Sequence, residues 1–145
     1  MTRCIGLDPG SRRIGVAVGD SETAIAFPRP PIRHRSAAAD VEAIASVARE
    51  EGAELVVVGL PRNMDGSEGP QAAAARAFGE RLAAIGLNVV FHDERLTSWA
   101  AAEQMAAEGR RPHRSTGELD SAAAAVMLQD YLDARARPGD VLESQ

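Results

Sequence analysis

Lysine is missing from this chain: all 16 basic side chains are arginine. With the heavy alanine content this fits a compositional bias, and it also leaves every cation in the form best suited to bidentate phosphate contacts. Cysteine is nearly absent. Cys4 stands alone, so no internal disulfide can form, and a reducing cytoplasm is the expected compartment. With one cysteine and three scattered histidines, a zinc site is not expected. Aromatics make up 3% of the residues, and the lone Trp99 reads as core or interface more readily than as a base-stacking platform. No apolar run is long enough to span a bilayer, and no secretory leader or membrane association is expected. Internal repeats, low-complexity tracts and interdomain linkers are lacking too. The expectation is one domain over residues 1–138, with a frayed tail at 139–145.

What is present is an ordinary globular balance, 45% apolar and 26% charged, in 145 residues. The net charge of −5 argues against a protein that coats nucleic acid nonspecifically. The basic residues are clustered, however. Arg12 and Arg13 follow the first acid, Arg29, Arg33 and Arg35 lie in a proline-rich connector, and Arg110, Arg111, His113 and Arg114 form a third group.

The opening stretch, RCIGLDPGSRRIGVAVGD, reads as two strands, 3–8 and 14–19, around the turn residues Asp8-Pro9-Gly10-Ser11. A short third strand is expected at 24–27, ended by Pro28, with PRPPIRHRS as a loop. Ser36 then caps a helix whose stripe is Val41, Ile44, Ala45 and Ala48 and whose stop is Gly52. ELVVVGLP is a continuous apolar run, the mark of a strand covered on both faces. RNMDGSEG is a loop, and Pro70 opens a helix with a stripe at Ala74, Phe78, Leu82 and Ile85. NVVFHDE is the last strand. A helix over 98–108, the basic loop, and a final helix to about 134 follow, the last opened by the capping box Ser115-Thr116-Gly117-Glu118. The order β-β-β-α-β-α-β-α-α predicts an α/β fold: a five-stranded mixed sheet, with a three-strand antiparallel meander plus two parallel strands, flanked by about four helices.

Three acids stand in comparable places. Asp8 ends the first strand, Glu94 (beside Asp93) ends the last strand, and Asp120 lies in the first turn of the final helix. Ligands of open α/β sheets gather outside the carboxyl ends of the strands. Each acid alone has a plainer use: Asp8 bonding the turn backbone, Glu94 as a solvated loop acid, Asp120 favoured by the positive end of its helix. Brought together, they would repel one another and hold their protons, and a divalent cation would remove that penalty. Hard oxygen ligands select Mg²⁺ or Mn²⁺.

The segments GLDPGSRRIGVAVGD, VVVGLPRNMDGSEGPQA, DERLTS and LDSAAAAVMLQDYL together resemble the YqgF family, RNase H-like nucleases related to the RuvC resolvase, in the same order and over nearly the whole chain. The resemblance implies an RNase H-like fold and a phosphodiesterase with an acidic metal site. It assigns the strand-one acid to Asp8, the glutamate of the DER motif to Glu94, and the acid of the final helix to Asp120. Better-known relatives use four acids; Asp93, Asp65 and Glu68 are the candidates for the fourth. Two metal ions about 3.5–4 Å apart suit an in-line displacement at phosphorus, with Asp8 bridging them and Glu94 and Asp120 each serving one. The products by resemblance carry 5′-phosphate and 3′-hydroxyl ends. Family members often carry lysine near the basic loop, where this chain has arginine.

Arg12, Arg13, Arg62, Asn63, Arg95, Arg110, Arg111 and Arg114 are the candidate nucleic-acid contacts. Arg12 and Arg13 otherwise serve as hairpin-tip charges, and the loop around Arg62 and Asn63 as a structural strand-to-helix turn. That loop lacks the Lys-Ser/Thr ending of a Walker A motif. The leading reading is processing of the 5′ end of the small-subunit rRNA precursor, a structured RNA. The competing reading is cleavage of branched DNA as a Holliday junction resolvase, which requires a stable homodimer where RNA trimming requires only a monomer. A nucleotide-binding protein of the actin-like fold is a distant alternative, since that fold needs two such domains and a second phosphate loop.

Overall fold

The computed structural model describes residues 2–93 and 118–136, with side chains described over 2–93 and 121–135. Five strands form one mixed sheet: β1 (Arg3–Pro9), β2 (Arg13–Asp20), β3 (Ala26–Arg33), β4 (Leu55–Leu60) and β5 (Val89–Asp93). Their order across the sheet is β3-β2-β1-β4-β5. β1 is antiparallel to β2 and parallel to β4, which is parallel to β5. The helices are α1 (Ala37–Glu51), α2 (Pro70–Ala84) and α3 (Glu118–Ala136). The expected helix over 98–108, the capping box at 115–118 (apart from Glu118, where α3 begins) and the 139–145 tail lie outside the described residues.

Strand alternation divides the core. Ile5, Leu7, Val16, Val56, Val58 and Leu60 point to the side covered by α1 and α2. Cys4, Ala17 and Val57 point to the other side, where they meet Ala124, Met127, Leu128 and Leu132 of α3. Both faces of β1 and β4 are therefore covered, which explains their continuous apolar sequence. Gly6 lies under α3: a Cβ there would stand 2.9 Å from the Leu128 Cβ. The helix rests directly on the β1 backbone, and only glycine leaves room for it.

α1 follows its sequence signals closely. The Ser36 hydroxyl accepts the Ala39 N–H at 3.1 Å, Val41, Ile44, Ala45 and Ala48 are buried, and Gly52 ends the helix. Two expectations need correction. β3 runs through Ala26–Arg33 and includes Pro28, Pro30 and Pro31, where the sequence suggested a strand ending before Pro28 and a loop. Among the described residues β3 pairs only with β2, and an edge strand tolerates prolines because half its N–H positions face away from the ladder. The buried stripe of α2 is Ala72, Ala75, Gly79 and Leu82, while Ile85 is exposed. The Phe91 ring of β5 fills the space a Cβ at position 79 would take, so the helix turns its small residues, not Ala74 and Ile85, to the sheet.

A β-bulge interrupts the β2–β3 ladder. Ile14 pairs with Ile32 and Val16 with Arg29, so two steps along β2 match three along β3. Ser121, in the first turns of α3, is wholly buried there. Its hydroxyl oxygen accepts the Val16 N–H at 3.2 Å, and its O–H donates to the Arg29 carbonyl. At the other end of the bonded stretch, Gln129 accepts the Ala26 N–H at 2.9 Å and donates to the Ala24 carbonyl at 2.7 Å. α3 is thus fastened to the edge strand at two points 8 residues apart in sequence.

Replacing Ser121→Ala removes the bridge and leaves a buried N–H and a carbonyl without it. The expected cost is about 1–3 kcal/mol, read as a lower urea midpoint. An unchanged midpoint would show that the bulge closes without the hydroxyl.

Candidate active site

β1 is the central strand, and its carboxyl end carries Asp8. Asp8 pairs with Gly15, next to the Leu7–Val16 pair. By alternation it shares the α3 face with Cys4 and Gly6. The hairpin turn after it is closed by the Gly10 N–H on the Arg13 carbonyl at 3.0 Å. The direction of α3 follows from its contacts. Ser121 is bonded at Val16, opposite Leu7, whereas Leu132 approaches Gly19, which pairs with Cys4. α3 therefore runs antiparallel to β1, with its first turn at the carboxyl edge. Asp120 immediately precedes Ser121, so its backbone stands at the level of Asp8.

Across β4 the same edge is set by the register. Gly59 pairs with His92 and Leu60 with Asp93. His92 shares the α3 face and bonds Asp130 at 2.7 Å (Nε2 to Oδ2), with its ring edge-on to Tyr131. It is engaged with α3 through these two contacts. Asp93 faces the other way, 3.8 Å from the Arg62 guanidinium. Glu94 and Arg95 lie outside the described residues, as do Arg110, Arg111 and Arg114. Among the described residues no trio of His, Cys, Asp or Glu side chains forms a metal-binding group, and two of the three expected ligands, Glu94 and the Asp120 carboxyl, fall outside them.

The loop between β4 and α2 is held by its own residues. Asn63 donates to the Ser67 hydroxyl at 3.0 Å, and its backbone N–H donates to the Ser67 carbonyl. Asp65 accepts the Ser67 N–H and hydroxyl. Arg62 lies 3.5 Å from Glu68 and reaches toward Asp93. Glu68 takes a two-point bond from Arg76, both contacts at 2.7 Å. That bond, with the Arg76 and Arg62 charges, holds the Glu68 carboxyl below the usual glutamate range despite an opposing desolvation effect. Arg62 and Asn63 thus stabilise the strand-to-helix turn, and Glu68 and Asp65 are engaged within it. Arg12 and Arg13 are exposed at the hairpin turn. Cys4 is buried, and burial pushes its thiol up to about 11, so it is a packing residue that stays protonated.

Two groups escaped the sequence reading. Neither Ser121 nor Asp40 was singled out there. The Asp40 carboxylate is buried and bonded to the His34 ring and the Arg35 N–H. The Ser121 role has no local signal, because it depends on a bulge distant in sequence, whereas the Asp40 partners lie in the segment just before α1.

A five-stranded sheet in this order, with α1 and α2 on one face and α3 on the other, is the RNase H-like nuclease fold. RuvC from T. thermophilus, solved in complex with a Holliday junction substrate, matches with a TM-score of 0.59 at 17% identity over 93% of this chain and 96% of that one. The yeast mitochondrial Holliday junction resolvase Ydc2 matches at 0.57 and 8% identity, over 93% of this chain and 79% of that one. Residues 2–134 match the RuvX family, described as Holliday junction resolvase, and the chain belongs to that family. It is 46% identical over 135 residues to a protein of Synechococcus elongatus named "Putative pre-16S rRNA nuclease", covering 92% of this chain and 91% of that protein. A protein of the same name from Chloroflexus aggregans is 46% identical over 92% of this chain and 95% of that one. No helix among the described residues is long and apolar enough to cross a membrane.

The lowered Glu68 value gives a pH signature. A depressed folded-state value adds stability above the ordinary glutamate value of 4.5, and that stability fades as pH falls through the folded-state value. Glu68→Gln is therefore expected to lower the urea midpoint at neutral pH, with the difference from the parent chain disappearing on acidification. A difference that persists unchanged in acid would assign it to packing.

Proposed function

We propose that this chain is a divalent-cation-dependent endonuclease that trims a structured RNA, the small-subunit rRNA precursor, in the cytoplasm, with Asp8, Glu94 and Asp120 as its carboxylates. The observation that carries the reading is the position of Asp8. It ends the central strand on the α3 face, level with the backbone turn that holds Asp120. Beside it, Gly59 of β4 carries no side chain and pairs with His92 of β5.

The donor set fits a hard divalent cation: carboxylate oxygens only, on a rigid strand end and a pinned helix, with Cys4 buried and His92 engaged elsewhere. Mg²⁺ or Mn²⁺, as a pair, would supply Lewis-acid polarisation of the phosphodiester and raise the acidity of water there. The chain's own part is positional. Asp8 would hold the ions from a backbone fixed by its ladder pair with Gly15 of β2, next to the Leu7–Val58 pair with β4. Arg12 and Arg13, at the hairpin turn next to it, neutralise flanking phosphates. By resemblance to the family, the 3′ oxygen would be the leaving group, giving 5′-phosphate and 3′-hydroxyl ends.

The choice of RNA rests on the relatives at 46% identity, whose name specifies pre-16S rRNA. The family description favours a second substrate, a branched DNA junction cut by a homodimer. Cleavage of a precursor RNA and of a four-way junction with Mg²⁺ or Mn²⁺ tests both readings. Asp8→Asn is expected to reduce cleavage by at least about a hundredfold while the urea midpoint stays near that of the parent chain. Full activity in that variant would overturn the assignment, and cleavage of the junction alone, by a dimer, would move the substrate from RNA to DNA.

A further inference from the structure

Beyond Asp8, on the side of β1 facing α1 and α2, the surface opens into a cleft of about 490 Å³. That size falls within the usual range of small-molecule sites, about 300–1,000 Å³. Ile14, Ala75 and Phe78 give it an apolar floor, and His34, Asp40 and Arg81 line it as polar groups. Asp8 and the turn residues Gly10 and Ser11 form the wall shared with the candidate active site.

The histidine is held in place. The buried Asp40 carboxylate uses one oxygen on the Arg35 N–H at 3.0 Å and the other on the His34 Nδ1. The His34 backbone N–H is bonded to the Arg12 carbonyl at 2.8 Å, which ties this segment to the hairpin turn after Asp8. With Nδ1 engaged, Nε2 is the ring nitrogen left for another partner, and the side chain is 48% exposed. A half-exposed imidazole oriented by a buried carboxylate is a preorganised contact.

We propose that this cleft takes one unstacked nucleotide of the substrate, next to the phosphodiester at Asp8. The base rests against Phe78 and Ile14, and the sugar–phosphate meets His34 and Arg81. The proposal rests on the nuclease reading above and adds a subsite to it. Two features select this occupant. An apolar, aromatic floor with the Arg81 guanidinium and the His34 imidazole beside it matches the two halves of a nucleotide, and single-stranded RNA is recognised by splaying bases into such sites. The cleft is also continuous with Asp8 but lies on the other face of β1. A strand crossing the carboxyl edge can therefore present a phosphate on the α3 side and the adjoining base on the α1–α2 side. A fully paired duplex cannot turn a base into the cleft.

Binding measured without divalent cation separates this subsite from catalysis. A fluorescein-labelled single-stranded RNA decamer, and the same strand in a duplex, are titrated with the full chain in EDTA and followed by anisotropy. Ala74→Leu places a larger side chain in the cleft from an exposed helical position, and His34→Ala removes the oriented ring. Each variant is expected to weaken single-strand binding by about tenfold and to leave duplex binding unchanged. Adding AMP or UMP is expected to shift the backbone amide resonances of Ser11, Ala75 and Phe78. Parent-like single-strand affinity in both variants, or equal losses for single strand and duplex, would overturn the subsite. If Ala74→Leu lowers the urea midpoint, His34→Ala decides alone. A chain that passes this test yet cleaves neither RNA nor junction would overturn the nuclease reading and leave the subsite standing.

Discussion

One hydroxyl sets the geometry of the candidate site. The Ser121 side chain enters the bulge between β2 and β3, taking the Val16 N–H and giving its proton to the Arg29 carbonyl. A bulge leaves backbone groups without ladder partners, and buried groups of that kind are costly. Here they are satisfied by a helix that would otherwise be located only by apolar contact, which is strong but non-directional. The hydrogen bonds fix α3 along its own axis, so the residue before Ser121 stands level with the end of β1. Gln129 repeats the device further along, on Ala24 and Ala26. The edge strand, often the least constrained part of a sheet, thus becomes the fixture that sets the helix.

Elements whose signals are local could be read from sequence alone. α1 has its cap, stripe and stop within one window, and β1 and β4 carry the unbroken apolar runs that double-sided burial demands. β3 was expected but cut short at Pro28, because three prolines argue against a strand unless it lies at an edge and bulges, and both conditions are tertiary. The α2 stripe was misread by part of a turn because the Phe91 ring, a residue of another strand, occupies the place where a side chain at Gly79 would sit.

The site divides in the same way. That Asp8 ends a buried strand is visible in the sequence, because an apolar run stops at an acid followed by turn residues. That α3 brings the Asp120 turn to the same edge is not visible there, because it depends on Ser121 meeting a bulge 92 residues away at Arg29. In the loop carrying Arg62 and Asn63 the polar residues bond to one another and to Arg76. That bonding builds the turn, and a loop held in this way can also present polar groups to a ligand.

Charge supplies the last step. A chain of net charge −5 approaches a polyanion against its own long-range field. Attraction must then be local, and Arg12 and Arg13 stand exposed at the hairpin turn beside Asp8, with Arg81 and His34 along the cleft behind it. In the proposed site the carboxylates of Asp8, Glu94 and Asp120 would sharpen the difficulty, because they would repel both one another and the incoming phosphate. A bound divalent cation reverses the sign of that field where the phosphodiester must sit. On this reading the same ions serve substrate binding and chemistry, and the arginines steer the flanking backbone. Binding that survives in EDTA must then come from the arginines, the polar groups of the cleft and its apolar floor, which is why the two faces of β1 can be examined separately.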